Sequence, residues 1–190
     1  MRVYGVALPP YAFVEFCERM PVECRADLLP NARVVGTPEQ MTELDRVNRK
    51  VNHDIAPATD LDLYGVPDYW TIPTTKGDCE DYALLKRQTL MRKGWPAGVL
   101  LMTVVYDEHH EGHAVLTVRT ALGDYILDNK NDDFKAVASN PVQVRDAAVI
   151  SRSEYLDVTR TRRRGDLGFS SRASSPTIVG CEKGQPVAAD

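Results

Sequence analysis

Apolar residues recur at helical spacing in two long stretches and at strand density in three shorter ones. Met41, Leu44, Val47 and Val51 form one stripe, which predicts a helix over Pro38–Asn52. Thr37 stands where an N-cap belongs, and Pro38 fits the first helical position. A second helix is predicted from Cys79 to Arg92, with Cys79, Tyr82, Leu85 and Thr89 on one face. Lys93-Gly94 with Pro96 beyond forms the stop. A short helix fits Tyr11–Glu18, ahead of Pro21. Strands are predicted over Val99–Tyr106, His113–Thr120 and Tyr125–Leu127 extending to Asp128, with turns at Asp107–Gly112 and Ala121–Asp124. Ala114-Val115-Leu116-Thr117-Val118 is apolar without strict alternation, as expected of a strand buried on both faces. A further strand fits either Val142–Ile150 or Tyr155–Thr159. Helices followed by an antiparallel sheet make an α+β fold, with the Cys79 helix packed on the sheet.

Between the two long helices lies an irregular connection, Ile55–Thr75. It carries Pro57, Pro67 and Pro73 together with Tyr64, Tyr69 and Trp70. Connections of that length are uncommon and often line sites. The 190 residues suit a single domain over 1–165, with residues 1–30 as an N-terminal module and 166–190 as a flexible Ser/Gly/Pro-rich tail.

Composition narrows the function. A net charge of −4 gives no support for nucleic-acid binding, and the one basic run, Arg160–Arg164, reads as a solvated surface segment. No apolar run reaches the ~18 residues of a membrane span. Met1–Pro10 holds no apolar signal core, so the chain reads as cytoplasmic or as a mature form without its export signal.

Of the four cysteines, Cys17 and Cys24 flank Met20-Pro21 and are either a local disulfide or two unpaired core thiols. No second Cys or His pair completes a zinc site. Cys181 lies in the tail. Cys79 differs, because it follows a glycine turn at the start of a helix. There the unpaired N–H groups and the helix dipole favour a thiolate.

A cysteine nucleophile needs a base and a group to orient it. His109 and His110 fall in a charged turn, and His53 ends a helix beside Asp54, so these three read as surface residues. His113 opens the apolar strand, and Asp128 ends the next one. A two- or four-residue hairpin loop puts the two on the same sheet face, opposed or diagonal; a three-residue loop puts them on opposite faces. The roles follow: Cys79 as nucleophile, His113 as base and then acid, Asp128 as orienter. The Cys79 N–H is a candidate oxyanion donor, with Asn52 and Trp70 as weaker candidates for a second.

Asp78, Glu80 and Asp81 oppose this reading, because carboxylates beside a thiol raise its pKa. As hard oxygen ligands they could instead hold Ca²⁺, which reverses the local electrostatics. The plainer alternative makes Asp78 an N-cap and leaves Glu80 and Asp81 as favourable first-turn charges.

Gly77-Asp78-Cys79-Glu80-Asp81-Tyr82-Ala83 followed by Gly112-His113-Ala114-Val115-Leu116 and Leu127-Asp128-Asn129 resembles the bacterial transglutaminase-like cysteine proteinases, which include periplasmic proteases that clip surface adhesins. Phe16-Cys17, Pro21, Cys24, Val51-Asn52 and Asp60 to Trp70 add to the likeness. The resemblance implies a papain-like, transglutaminase-type core and a Cys79–His113–Asp128 triad. It also implies Ca²⁺ on Asp78 and Glu80, extending to Asp81, together with a Cys17–Cys24 disulfide and a periplasmic or otherwise exported protein. The partner it implies is a protein substrate such as a bacterial surface adhesin. The segment after Ser151 departs from the family pattern. Two other readings stay open: transglutaminase-type acyl transfer to an amine, and a non-catalytic calcium-stabilised binding module of the same fold.

Overall fold

A computed structural model of the chain describes residues 9–24, 32–107, 109 and 111–136, and the backbone of 143–150. The elements run α1 (Tyr11–Arg19), α2 (Pro38–Asp54), β1 (Ala56–Pro57), α3 (Asp60–Tyr64), β2 (Lys76–Gly77), α4 (Cys79–Arg92), β3 (Leu100–Tyr106), β4 (Gly112–Thr120), β5 (Gly123–Asp128), β6 (Asn131–Ala136) and β7 (Gln143–Ile150). Five strands form one antiparallel sheet in the order β6-β5-β4-β3-β7. The α+β expectation holds. Of the two segments offered for a further strand, Val142–Ile150 supplies β7, while Tyr155–Thr159 lies outside the described residues. The Arg160–Arg164 run, Cys181 and the tail lie outside them too.

The start of α2 is set locally. The Thr37 hydroxyl accepts from the Gln40 N–H while Gln40 Oε1 accepts from the Thr37 N–H, a reciprocal capping box. Leu44, Val47 and Val51 are buried, as their stripe predicts. Helix α4 differs from its one-sided expectation. Leu85 and Thr89 are only partly buried, whereas Cys79, Tyr82, Ala83, Lys86 and Leu90 are buried, along with Glu80, Asp81, Leu84, Arg87 and Gln88. The polar positions of α4 are enclosed because neighbouring segments supply their partners. Arg87 donates to the carbonyls of Leu100 and Glu23, and Gln88 donates to the Glu23 side chain. Such interior polar groups persist only when hydrogen-bonded.

Strand β4 is central, between β3 and β5, and its residues 113–118 are buried without alternation. The irregular connection contains more order than its sequence suggests. β1 and β2 pair in parallel, Ala56 with Lys76 and Pro57 with Gly77, and close the excursion between them into a loop. The chain therefore returns to the start of α4 with the 58–75 segment folded against it.

The N-terminal helix braces that segment. Phe13 meets Trp70 edge-on at 5.2 Å, Arg19 lies 4.3 Å from the Tyr69 ring centroid, and an Arg19 guanidinium nitrogen donates to the Trp70 carbonyl at 2.8 Å. Cys17 and Cys24 are joined by a disulfide, with Cα atoms 5.5 Å apart, which ties the end of α1 to the turn after it. No helix among the described residues is long and apolar enough to cross a membrane.

Candidate active site and acidic cluster

Cys79 is the first residue of α4 and is buried at 1% exposure. Its Sγ accepts from the Ala114 N–H at 3.1 Å, so the sulfur of one element is held by the backbone of central strand β4. Cys79 is disulfide-bonded in this structure; once it is reduced, a backbone donor and a helix N-terminus together favour negative charge on its sulfur. The Ala114 amide could not be found from sequence, since a main-chain donor leaves no signature in residue type.

The residue before Ala114 is His113. The β4–β5 hairpin pairs Thr120 with Gly123 and Leu116 with Leu127, which leaves a two-residue loop, Ala121-Leu122. Asp128 therefore falls on the His113 side of the sheet, diagonal to it, as the parity argument requires. His113 Nε2 lies 2.8 Å from Asp128 Oδ1, and both residues are buried. Nδ1 of His113 is buried with no hydrogen-bond partner among the described residues. Burial, the largest influence, pushes the Asp128 carboxyl up. The His113 hydrogen bond and charge, the Lys130 N–H and the charge of Lys86 outweigh it and hold the group below the usual carboxylate range.

A second set of contacts fixes the β5–β6 turn. Asn52 Nδ2 donates to the Asp128 carbonyl at 3.0 Å, and Asn48 Nδ2 donates to the carbonyls of Asn131 and Asp132 at 2.8 Å each. These asparagines stand one turn apart on α2. Asn52 is thus a clamp on the turn, while the Trp70 indole N–H is committed to Asp68 at 2.9 Å. Neither weaker candidate has its donor turned to an oxyanion. His53 is exposed beside Asp54, His109 is exposed in the β3–β4 turn, and His110 lies outside the described residues.

Lys130 joins the two turns that flank the histidine strand. Its ammonium sits 2.7 Å from Asp107 Oδ2, and its N–H donates to Asp128 Oδ1 at 2.9 Å. Asp107 is 2% exposed and also accepts from the N–H groups of His109 and Glu111. Burial raises its pKa, but these donors and the Lys130 charge dominate and hold it at about 2. A carboxyl depressed in the folded state stabilises the protein above its unfolded pKa and loses that contribution as pH falls through the folded value. Asp107→Asn is accordingly expected to cost about 2 kcal/mol near neutral pH, a deficit that shrinks between pH ~4 and ~2. Urea titrations of both proteins across that range measure it; a deficit independent of pH would refute the assignment.

Five carboxyl groups gather beside Cys79. Oxygens of Asp60, Asp78 and Glu80 lie within 4.8 Å of one another, and all three residues are buried. Asp68 and Asp81 adjoin them. Glu80 Oε2 is 3.2 Å from Cys79 Sγ, so the cluster and the sulfur are neighbours. Burial, reinforced by mutual repulsion, pushes Asp68 up to about 6, Asp78 to about 7 and Asp81 to about 9, with Glu80 raised well above its ordinary value. Asp78 Oδ1, Asp60 Oδ1 and Asp81 Oδ2 have no hydrogen-bond partner among the described residues.

Asp78 occupies the N-cap position of α4 but makes no side-chain cap, so ordinary capping does not explain it. Asp81 turns away from the three-carboxylate group. Its Oδ1 accepts from the Thr71 N–H at 2.9 Å, and its side chain folds beneath Gly77. A Cβ on Gly77 would stand 2.6 Å from Asp81 Oδ2, which explains why the residue there is glycine. The third member of the group is Asp60, 18 residues upstream of Asp78. It follows the Thr59 N-cap of α3 and accepts from the Tyr69 N–H. In sequence Asp60 stands out by its place in the long aromatic connection and by opening the Asp60 to Trp70 stretch of the family likeness, neither of which marks it as a ligand.

A cysteine at a helix N-terminus, packed on an antiparallel sheet whose adjacent strands bring a histidine and an aspartate together, defines the transglutaminase-type branch of papain-like folds. Residues 3–149 match the model of the bacterial transglutaminase-like cysteine proteinases, and the chain belongs to that family. Among solved structures the chain is similar to Legionella pneumophila LapG. The EGTA-treated form is 26% identical, with 61% of this chain covering 63% of that one at a TM-score of 0.48. The calcium-bound form is 23% identical, with 67% covering 82% at 0.49, and a third LapG structure is 26% identical, with 67% covering 80% at 0.49. The chain thus spans less than two thirds of the first of these. No curated protein matches it.

Proposed function

We propose that this protein is a cysteine endopeptidase acting on an exported or surface protein through Cys79, His113 and Asp128. The observation that carries the reading is the buried His113–Asp128 pair, directly preceding the Ala114 amide that holds Cys79 Sγ, with Nδ1 of His113 left over. A hydrogen bond from Nε2–H to Asp128 leaves Nδ1 as the acceptor of the thiol proton.

The reaction then proceeds in two halves. Once a thiol reductant has opened the disulfide that holds Cys79, the Cys79 thiolate adds to the scissile carbonyl carbon, and the carbonyl π electrons move onto oxygen. The tetrahedral species collapses as the C–N bond breaks, and the imidazolium of His113 gives its proton to the departing amine. Water, deprotonated by His113, adds to the thioester; cleavage of the C–S bond frees the acid and restores the thiolate. The backbone N–H of Cys79 at the start of α4 suits the oxyanion.

The acidic cluster fits a divalent cation of the Ca²⁺ type. Its donors are all hard oxygens, two of the three close carboxylates keep buried oxygens without partners, and burying like charges together is costly unless a cation offsets them. Asp60, Asp78 and Glu80 would hold the ion, with Asp81 and Asp68 adding negative charge. Bound there, Ca²⁺ would neutralise the charges beside the nucleophile and fix the start of α4. The Cys17–Cys24 disulfide supports a periplasmic or otherwise exported location, since such bonds persist in oxidising compartments.

The test is to incubate wild type and Cys79→Ala, under mild reduction with and without calcium, with a bacterial surface-protein fraction. New N-termini that require Cys79 and calcium support the reading. Covalent capture of a labelled primary amine in place of new N-termini would make the protein an acyltransferase. Identical profiles for both proteins would overturn catalysis.

A further inference from the structure

Cys79 is disulfide-bonded, and none of the described cysteines is free. The chain has four cysteines, and Cys17 and Cys24 are joined to each other. Within the chain, Cys181 alone is left to pair with Cys79. Cys181 lies outside the described residues, and elimination along the sequence assigns it as the partner.

The two bonds differ in kind. Cys17 and Cys24 stand seven residues apart and tie one short module to itself. The Cys79 bond joins the first residue of α4 to a Ser/Gly/Pro-rich stretch far along the chain. It also consumes the side chain that the reaction needs as its nucleophile. A bond that served stability alone would have no need of that sulfur. A disulfide sets the partner sulfur about 2 Å away, inside the ~3–3.5 Å at which a scissile carbonyl carbon must arrive to be attacked. Two other approaches to Cys79 Sγ are already taken, by the Ala114 N–H at 3.1 Å and by Glu80 Oε2 at 3.2 Å. Substrate and Cys181 therefore compete for the same side of one sulfur.

We propose that a Cys79–Cys181 disulfide is a redox latch on the nucleophile, closed in the oxidised chain and opened by a dithiol reductant. The latch rests on the peptidase reading for the activity it gates, but not for the bond itself. Opening is a two-electron exchange. A thiolate of the reductant attacks the Cys181 sulfur, because Cys79 is enclosed at 1% exposure. The Sγ–Sγ bond breaks, and Cys79 leaves with the electron pair. The second thiolate of the reductant then displaces Cys181 from the mixed disulfide. The reductant ends as an intramolecular disulfide, and its two protons pass to the released sulfurs or to solvent. The Ala114 N–H already meets the released Cys79 sulfur. An oxidising compartment keeps such a bond closed until a reductant arrives.

Peptide mapping of thiol-blocked, unreduced wild type by mass spectrometry is expected to give the Cys79 peptide linked to the Cys181 peptide. Iodoacetamide should label Cys79 in wild type only after dithiothreitol, and in Cys181→Ser without it. Dithiothreitol is expected to raise cleavage of a bacterial surface-protein fraction by wild type, with calcium present, at least ~100-fold. Cys181→Ser should match reduced wild type with no reductant added. The Cys17–Cys24 bond stays closed in that variant, so the gain belongs to the other bond. A Cys79 that is alkylated in unreduced wild type, or linked to a different cysteine, would overturn the latch. Equal and measurable cleavage by unreduced wild type and Cys181→Ser would overturn it as well. If neither protein cleaves even when reduced, the peptidase reading fails, while mapping and labelling still decide the latch.

Discussion

Asp128→Asn is expected to leave the fold intact and to lower kcat/KM for a peptide spanning the cleavage site by about 10²–10⁴. The amide preserves the shape at the β5 terminus but can donate to His113 Nε2, which moves the ring proton to Nδ1. The atom that should accept the Cys79 proton is then occupied. Cys79→Ala and His113→Ala remove the nucleophile and the base outright, and each is expected to cost at least ~10⁴, with the double variant little worse than either. That non-additivity is the sharper measurement, because three residues acting through one proton path fail together. Near-wild-type kinetics for Asp128→Asn, or independent losses in the double variant, would show that the buried pair 2.8 Å apart is structural.

The second large effect concerns the acidic cluster. With calcium at about 100-fold over its Kd, binding to the folded state alone adds ~2.7 kcal/mol, an increase of roughly 5–10 °C in Tm for a chain of this size. Chelator should reverse it. In chelator the pH dependence takes an unusual sign. A carboxyl raised in the folded state binds more protons there than in the unfolded chain, so stability falls as pH rises from the unfolded pKa to the folded one. For Asp78 that window runs from near 4 to about 7, for Asp68 to about 6 and for Asp81 to about 9. The chelated protein is therefore expected to melt lower at pH 8 than at pH 5, and calcium to matter most at pH 8. Asp60→Asn should raise Tm in chelator and abolish the calcium increment, two changes of opposite sign from one substitution. Scanning calorimetry at both pH values measures all of this. A Tm indifferent to calcium and chelator at pH 8 would remove the ion from the site.

The two predictions join at Glu80, whose carboxyl belongs to the close group while one oxygen lies 3.2 Å from Cys79 Sγ. A change in charge at the cluster is felt at Cys79 through that contact and through the start of α4. The Ala114 amide reaches the sulfur from the sheet side, away from the cluster.

Much of this was legible along the chain because it depends on short-range rules. The Thr37–Gln40 box, the proline at the start of α2 and the glycine-led entry to α4 are settled within a few residues of sequence. The sequence permitted the His113–Asp128 pairing without fixing it, because it left the loop length open; the two-residue loop that puts both on one face comes from the structure. The tertiary structure alone decided the rest. Asp60 reaches Asp78 because β1 and β2 close an excursion that carries no helical or strand periodicity to read. Asp81, next to the candidate ligand Glu80, turns instead to the Thr71 amide, because successive residues on a helix point about 100° apart. Lys86 has the residue type of a surface position, yet it is fully buried. Periodicity and turn chemistry determine which elements form and which side chains share a face; which charges end up enclosed together depends on how distant segments pack, and no local pattern encodes that.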